Sequence, residues 1–169
     1  MQASTRQNLL MNISIKAAAA SDASLIARLN RDVQELHAQL EPTFFKAAPD
    51  AEELIAFFAA KMSSPESHIL IASIAAEPAG YVWFDVQDRP ATPLTLPRRR
   101  IYIHHLSVQA GARRQGLATM LMKHVEDEAL ALGIRTIALD TWAANSSARS
   151  FFSGRGFEPF NVSLSRQLP

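Results

Sequence analysis

Residues 101–132 read IYIHHLSVQAGARRQGLATMLMKHVEDEALAL, a strand, a loop and a helix in direct succession. Ile101 to Val108 is an apolar run rich in β-branched and aromatic residues, the composition of a strand. From Gly116 to Leu132 the period lengthens. Leu117, Leu121, Val125, Ala129 and Leu132 share one helical face, and Gly133 stops the helix. The loop Gln109 to Gln115 between them holds Gly111, Arg113 and Arg114, and Gly116 opens the helix. A helix start offers N–H groups without partners and the positive end of a dipole. With guanidinium groups beside it, and a glycine that lets backbone approach a ligand, such a start is a phosphate site.

Upstream of this segment, Ile13 to Lys16 alternates as a short strand. Ser21 or Asp22 caps a helix with the apolar stripe Leu25, Leu29, Val33, Leu36 and Leu40, which Pro42 ends. Pro49 and Asp50 open a second helix with Leu54, Phe58 and Met62 on one face. Two apolar runs, Ile69 to Ala72 and Tyr81 to Val86, flank the turn Glu77-Pro78-Ala79-Gly80 as an antiparallel hairpin. Residues 88–99 form a loop holding Pro90, Pro93 and Pro97. Downstream, Ile134 to Asp140 is a strand, Asn145 to Ser153 a helix, and Phe157 to Leu168 an extended segment with alternating Val162, Leu164 and Arg166. The order is β-α-α-β-β-β-α-β-α-β(-β), an α/β (α+β) fold with a mixed central sheet flanked by helices. Residues 1–12 read as a flexible leader, with Met11 an alternative start, and 13–169 as a single domain.

The net charge of +1 gives no electrostatic case for nucleic acid or an anionic membrane. No stretch approaches the roughly 20 apolar residues of a membrane span. The absence of cysteine removes disulfides, thiolate metal sites and a thiol nucleophile, and agrees with the cytoplasm. Adjacent His104 and His105 invite a metal, but strand alternation sends them to opposite faces. His37, His68 and His124 show no ligand spacing, so no metal is expected.

Gly111 and Gly116 have P-loop spacing, yet Leu117 and Ala118 stand where Lys and Ser/Thr are required. A G-x-G-x-x-G fingerprint is absent. What remains is Arg113-x-x-Gly116-x-Ala118, which resembles the [QR]-x-x-G-x-[GA] pyrophosphate loop of the GNAT superfamily of N-acetyltransferases. Asn145, Ala148, Phe152, Gly156 and Phe157 look like that family's N-x-x-A-x-x-x-Y-x-x-x-G-F signature, with Phe152 at the Tyr position. The resemblance covers roughly residues 12–168 and is most specific from 101 to 157.

The resemblance implies acetyl-coenzyme A as acyl donor. Its pyrophosphate would lie on the loop formed by Arg113, Arg114, Gln115, Gly116, Leu117, Ala118 and Thr119, whose plain alternative is a solvated basic turn. Arg98, Arg99 and Arg100 read as a solvated edge. In the family the pantetheine pairs like an extra strand with the strand ending at Val108. This implies contacts from Leu106, Ser107 and Val108, with the Leu106 N–H polarising the thioester carbonyl. Asn145, Ala148 and Phe152 would flank the pantetheine, although Asn145 also suits a helix N-cap. Tyr102 and His104 share a strand face where relatives carry a base. An imidazole, with its reference pKa near 6.5, makes His104 the candidate base, directly or through water. Phe152 cannot protonate the leaving thiolate, a task for Tyr in many relatives.

The implied reaction is direct attack by a primary amine, of a small molecule or a peptide N-terminus, in a ternary complex. The alternative is a non-catalytic acyl-coenzyme A-binding sensor or partner module. Glu35, His37, Phe44, Phe45, Trp83 and Trp142 are candidate acceptor-lining residues by layout, with core packing the plain reading of the aromatics. A homodimer through the extended C-terminal segment is expected, since an open edge needs cover.

Overall fold

The computed structural model describes residues 13–168. The expected leader and the alternative start at Met11 lie outside those residues. Five strands form one sheet in the order β1-β2-β3-β4-β5: β1 Ile13–Ala17, β2 Ser67–Ile74, β3 Glu77–Arg89, β4 Arg98–Val108 and β5 Ile137–Leu139. Neighbours run antiparallel except β4 and β5, which are parallel, so the sheet is mixed. Helices α1 (Ala23–Leu40) and α2 (Ala51–Met62) follow β1. Helix α3 (Leu117–Ala131) links β4 to β5, and α4 (Ser146–Ser153) follows β5.

Side chains alternate along each strand, so the sheet has two apolar faces. Val82, Phe84, Ile101 and Ile103 meet Leu117, Leu121, Met122 and Val125 of α3 in one buried cluster. Ile69, Ile71, Tyr81 and Trp83 meet Ile26 and Leu29 of α1 and Phe58 of α2 in the other. Of the stripe expected on α1, Leu29 is fully buried, and Ile26 and Asn30 face the sheet beside it. Among the described residues, no helix is long and apolar enough to cross a membrane.

Local chemistry sets the element ends. Asp22 is the N-cap residue of α1, but its carboxylate reaches back to the Ala19 N–H (3.0 Å) and to Lys16 (3.2 Å). Asp50 caps α2 by accepting from the Glu53 N–H at 2.9 Å. Gly133 ends α3 at φ +67°, and its N–H donates to the Leu130 carbonyl while that of Ile134 donates to Ala129.

The strand expected over 134–140 shortens to β5, and three further expectations shift. The β2–β3 turn is Ala75-Ala76, both at positive φ, and Glu77 to Gly80 belong to β3. Positive φ is unfavourable for alanine, so its sequence carries no turn signal. The loop expected over 88–99 shortens to 90–97, and Arg98 to Arg100 start β4. The expected final strand is absent among the described residues. Phe160, Val162 and Leu164 are exposed, so the alternation there has no buried face to serve.

Gly80 has a steric reason. A Cβ there would lie 2.7 Å from the Ser107 carbonyl oxygen, so β3 and β4 approach closely where β4 ends. Gly111 has nothing within 4 Å of an added Cβ. In urea denaturation, Gly80→Ala is expected to lose about 1–3 kcal/mol. Gly111→Ala is expected to stay level or gain up to about 1 kcal/mol. Equal stability in the two variants would contradict this close approach.

Candidate active site

Strand β4 is not regular. His105 lies opposite Trp83, and Ile103 opposite Phe84, so His104 is an extra residue on β4. Backbone directions carry the same message. The Ile101 N–H donates to Thr136, toward β5, whereas the Gln109 N–H donates to Ala79, toward β3. These positions are separated by an even number of residues and would point the same way in a regular strand. Counting back from Gln109, Ser107 turns toward β3, and the N–H groups of Leu106 and Val108 turn the other way. The β4–β5 pairing stops at Ile103 and Leu139, so among the described residues the edge carrying Leu106 and Val108 is open. Their side chains pack against the α3 cluster. The Ser107 side chain turns to α1 and donates to the Leu29 carbonyl at 3.2 Å. Of the three strand residues expected at the donor, Ser107 therefore presents neither side chain nor N–H to the open edge.

The bulge also corrects the expectation that His104 and His105 face opposite ways. Both lie on the α1 side, against Trp83, with ring centroids 4.2 Å and 5.1 Å from it. Their surroundings differ. His104 donates from Nε2 to Asp85 Oδ2 at 2.8 Å, and Asp85 also accepts from Trp83 Nε1 at 3.2 Å. A carboxylate on Nε2 fixes the proton there and leaves Nδ1 as the acceptor. Tyr81 accepts from Asn30 Nδ2 (2.9 Å), and its hydroxyl donates to His105 Nδ1 (2.8 Å). Burial pushes the Tyr81 hydroxyl well above the usual range. Burial, then the neighbouring His37 and His104, push His105 down to about 4. Tyr102 donates to Asp140 Oδ2. Burial, then that hydrogen bond, push its hydroxyl up to about 12, so its proton is held at neutral pH. Asp85 and Asn30 were not anticipated in these roles. Asn30 carried a signal, a polar residue one position from Leu29 on the buried side of a helix.

The loop after β4 is held from α1. Asp32 accepts from the Ala110 N–H at 2.8 Å, at the start of a 3-10 turn, Ala110–Ala112. Arg113 bends back, donating from Nε to the Val108 carbonyl (3.1 Å), with Nη2 3.8 Å from Asp32. Its guanidinium thus serves the loop. Arg114 and Gly116 take positive φ of 61° and 93°. The first helical bond of α3 runs from the Met120 N–H to the Gly116 carbonyl. Among the described residues, the N–H groups from Arg114 to Thr119 have no backbone acceptor and no side-chain cap. Successive N–H groups around left-handed residues form a concave anion nest at the positive end of α3. Leu117 buries its side chain and offers only its N–H, and Ala118 is half-buried beside it. Gln115 is tied to the Gly111 carbonyl.

At α4, Asn145 Oδ1 caps the helix by accepting from the Ala148 N–H at 3.1 Å, which is the plain reading of this residue. Phe152 packs against Phe151 and Phe157 and lends no proton donor. Glu35 bonds Gln39 in the groove between α1 and α2, apart from the aromatic candidates. Arg99 and Arg100 are engaged by Leu132 and Gln87 at the far end of β4. Among the described residues, no group of three His, Asp or Glu side chains is arranged to hold a metal.

His105 yields a pH test. Its folded pKa is depressed below the unfolded value near 6.5, so its contribution to stability is complete above pH 6.5. It is lost as pH falls toward 4, by about 3 kcal/mol in order of magnitude. Urea midpoints between pH 7 and 4 are expected to fall less steeply in His105→Gln than in the parent. Parallel pH profiles would contradict a buried, neutral His105.

The chain matches the Acetyltransferase (GNAT) family over residues 31–157. It is 32% identical to the uncharacterized N-acetyltransferase YhfO of Bacillus subtilis, over 86% of this chain and 90% of that protein. In fold it resembles the tetramutant of the BH1408 protein of Bacillus halodurans, with TM-score 0.83 and 21% identity over 92% of this chain and 99% of that one. It also resembles a predicted acetyltransferase of Clostridium acetobutylicum, solved with acetyl-CoA, with TM-score 0.70 and 20% identity over 92% and 96%. A five-stranded mixed sheet, a bulged β4 opening onto an anion nest, and these matches agree: the chain belongs to the GNAT family of acetyltransferases.

Proposed function

We propose that the protein transfers an acetyl group from acetyl-coenzyme A to a primary amine by direct attack in a ternary complex. The observation that carries this reading is the run of unpartnered N–H groups from Arg114 to Thr119, beside the open β4 edge of Leu106 and Val108. The nest fits a pyrophosphate in charge and donor pattern. The Leu106 and Val108 N–H groups fit the amides and thioester carbonyl of an extended pantetheine arm. Acetyl-coenzyme A supplies an acyl carbon already activated as a thioester. The Clostridium acetobutylicum neighbour with bound acetyl-CoA supports that donor.

An amine is mostly protonated at neutral pH and needs a proton acceptor before it attacks. His104 suits the task. Asp85 holds its Nε2 proton and stabilises the imidazolium that forms when Nδ1 takes the proton. Tyr102 keeps its own proton, and His105 is too weakly basic at about 4. The Leu106 N–H polarises the thioester carbonyl. With Phe152 at the α4 position, water is the proton source for the leaving thiolate, whose reference pKa near 8.5 makes it a fair leaving group.

Acetyl-coenzyme A is expected to raise the melting temperature, as a ligand that binds only the native state does. Gly116→Asp, which sets a carboxylate against the nest and strains a left-handed position, is expected to abolish that shift. No shift in the parent protein would overturn the donor assignment. A shift without thiol release across an amine panel would favour the non-catalytic sensor.

His104→Ala is expected to lower kcat/KM about 10²-fold, and the deficit is expected to shrink at high pH as free amine becomes abundant. Asp85→Asn is expected to lower kcat with KM nearly unchanged, because it acts through the imidazole. Full activity of His104→Ala across pH 6.5–9 would remove His104 as the base.

A further inference from the structure

The acceptor side of the site is walled by rings. From His104 the contacts run through Trp83 (4.2 Å) to His105 (5.1 Å) and on to His37 (6.5 Å). His37 meets Phe45 at 4.8 Å, and Phe45 and Phe44 both meet Trp142, at 5.3 Å and 5.5 Å. Three separate segments supply the outer part: the end of α1 gives His37, the turn after it Phe44 and Phe45, and the loop after β5 Trp142. None of these four belongs to either buried cluster of the sheet. Phe44 is 74% exposed, which core packing does not explain.

Two carboxylates near His104 already hold hydrogen bonds. Asp85 is held by His104 and Trp83, and Asp140 by Tyr102. Burial lowers the pKa of His37, which favours its neutral form. An aromatic ring would find edge and face partners along Phe44, Phe45 and Trp142. The ammonium form of an approaching amine is also attracted to the half-buried ring of Trp142 before it gives up its proton.

Resting on the proposed acetyl transfer, we infer that the acceptor is an arylalkylamine, a primary amine on a short chain from an aromatic ring. The ring lies against Phe44, Phe45 and Trp142, and the amine reaches His104. The ammonium gives one proton to His104 Nδ1, the freed amine nitrogen bonds to the acetyl carbon, the carbon–sulfur bond of the thioester breaks, and the second proton the nitrogen sheds passes to water. The thiolate leaves with the sulfur's electron pair and takes a proton from water.

Two readouts test this. Both tryptophans, Trp83 and Trp142, belong to the wall, so intrinsic fluorescence reports acceptor binding in the presence of coenzyme A without turnover. Titration with 2-phenylethylamine is expected to saturate, at least 10-fold more tightly than with spermidine, ethanolamine or kanamycin. With acetyl-coenzyme A, kcat/KM is expected to follow the same order. Phe44→Ser and Trp142→Leu are each expected to raise KM for 2-phenylethylamine about 10-fold, with kcat within about 3-fold. KM for ethanolamine and the thermal shift with coenzyme A should be unchanged, which shows that the fold survives. Preferred binding of spermidine or kanamycin would overturn the inference and leave the acetyl-transfer reading standing. Saturating 2-phenylethylamine binding without thiol release would support the wall and count against catalysis. Variants that weaken all amines equally would also overturn the inference.

Discussion

A β-strand repeats every two residues, so one inserted residue reverses every hydrogen-bonding direction downstream of it. In β4 that residue is His104. Upstream, the Ile101 N–H turns to the β5 side, as the parallel ladder requires. Downstream, the N–H groups of Leu106 and Val108 take that direction where β5 has already parted from β4. An unbulged strand would have presented Ser107 there, with its N–H tied to nothing and its side chain in the α3 core. The same insertion brings two imidazoles to one side of the sheet. One donates to a carboxylate, and the other is buried and accepts from a phenol.

The two sides of the site are linked through α1. Asn30 anchors the Tyr81–His105 pair, and two residues on, Asp32 anchors the loop that starts the anion nest. Ser107 adds a third tie, to the Leu29 carbonyl. A shift of α1 would therefore disturb the buried histidine and the loop before α3 together. Gly80 lets β3 approach β4 closely at the same place and keeps the end of β4 fixed while its other edge stays open.

Most of the fold was legible in the sequence. The α3 face, the Gly133 stop and the strand–loop–helix at 101–132 rest on local periodicity and capping, which a single chain displays. The terminal strand was misread because Val162 and Leu164 alternate without a partner surface, and alternation alone cannot report burial. The hairpin turn was displaced because Ala75 and Ala76 take a conformation that alanine seldom adopts. Within the site, Gly116 signals the helix start whose N–H groups lack partners among the described residues, but the use of the Arg113 side chain was not legible. Its partners, Val108 and Asp32, are set by the loop geometry and by a distant helix. The bulge was invisible for a related reason. Which of two adjacent histidines is the inserted one depends on register with β3.

On the proposed reading, specific backbone N–H groups, selected by the bulge and by the start of α3, face the acyl donor. Amide NMR of the labelled protein with saturating acetyl-coenzyme A tests it most directly. Shifts and new exchange protection are expected at Leu106, Val108 and Gly116 to Thr119, with little change at Gln109, whose N–H is already bonded to Ala79. Equal perturbation of Gln109 and Val108, or silence at Gly116 to Thr119, would contradict it.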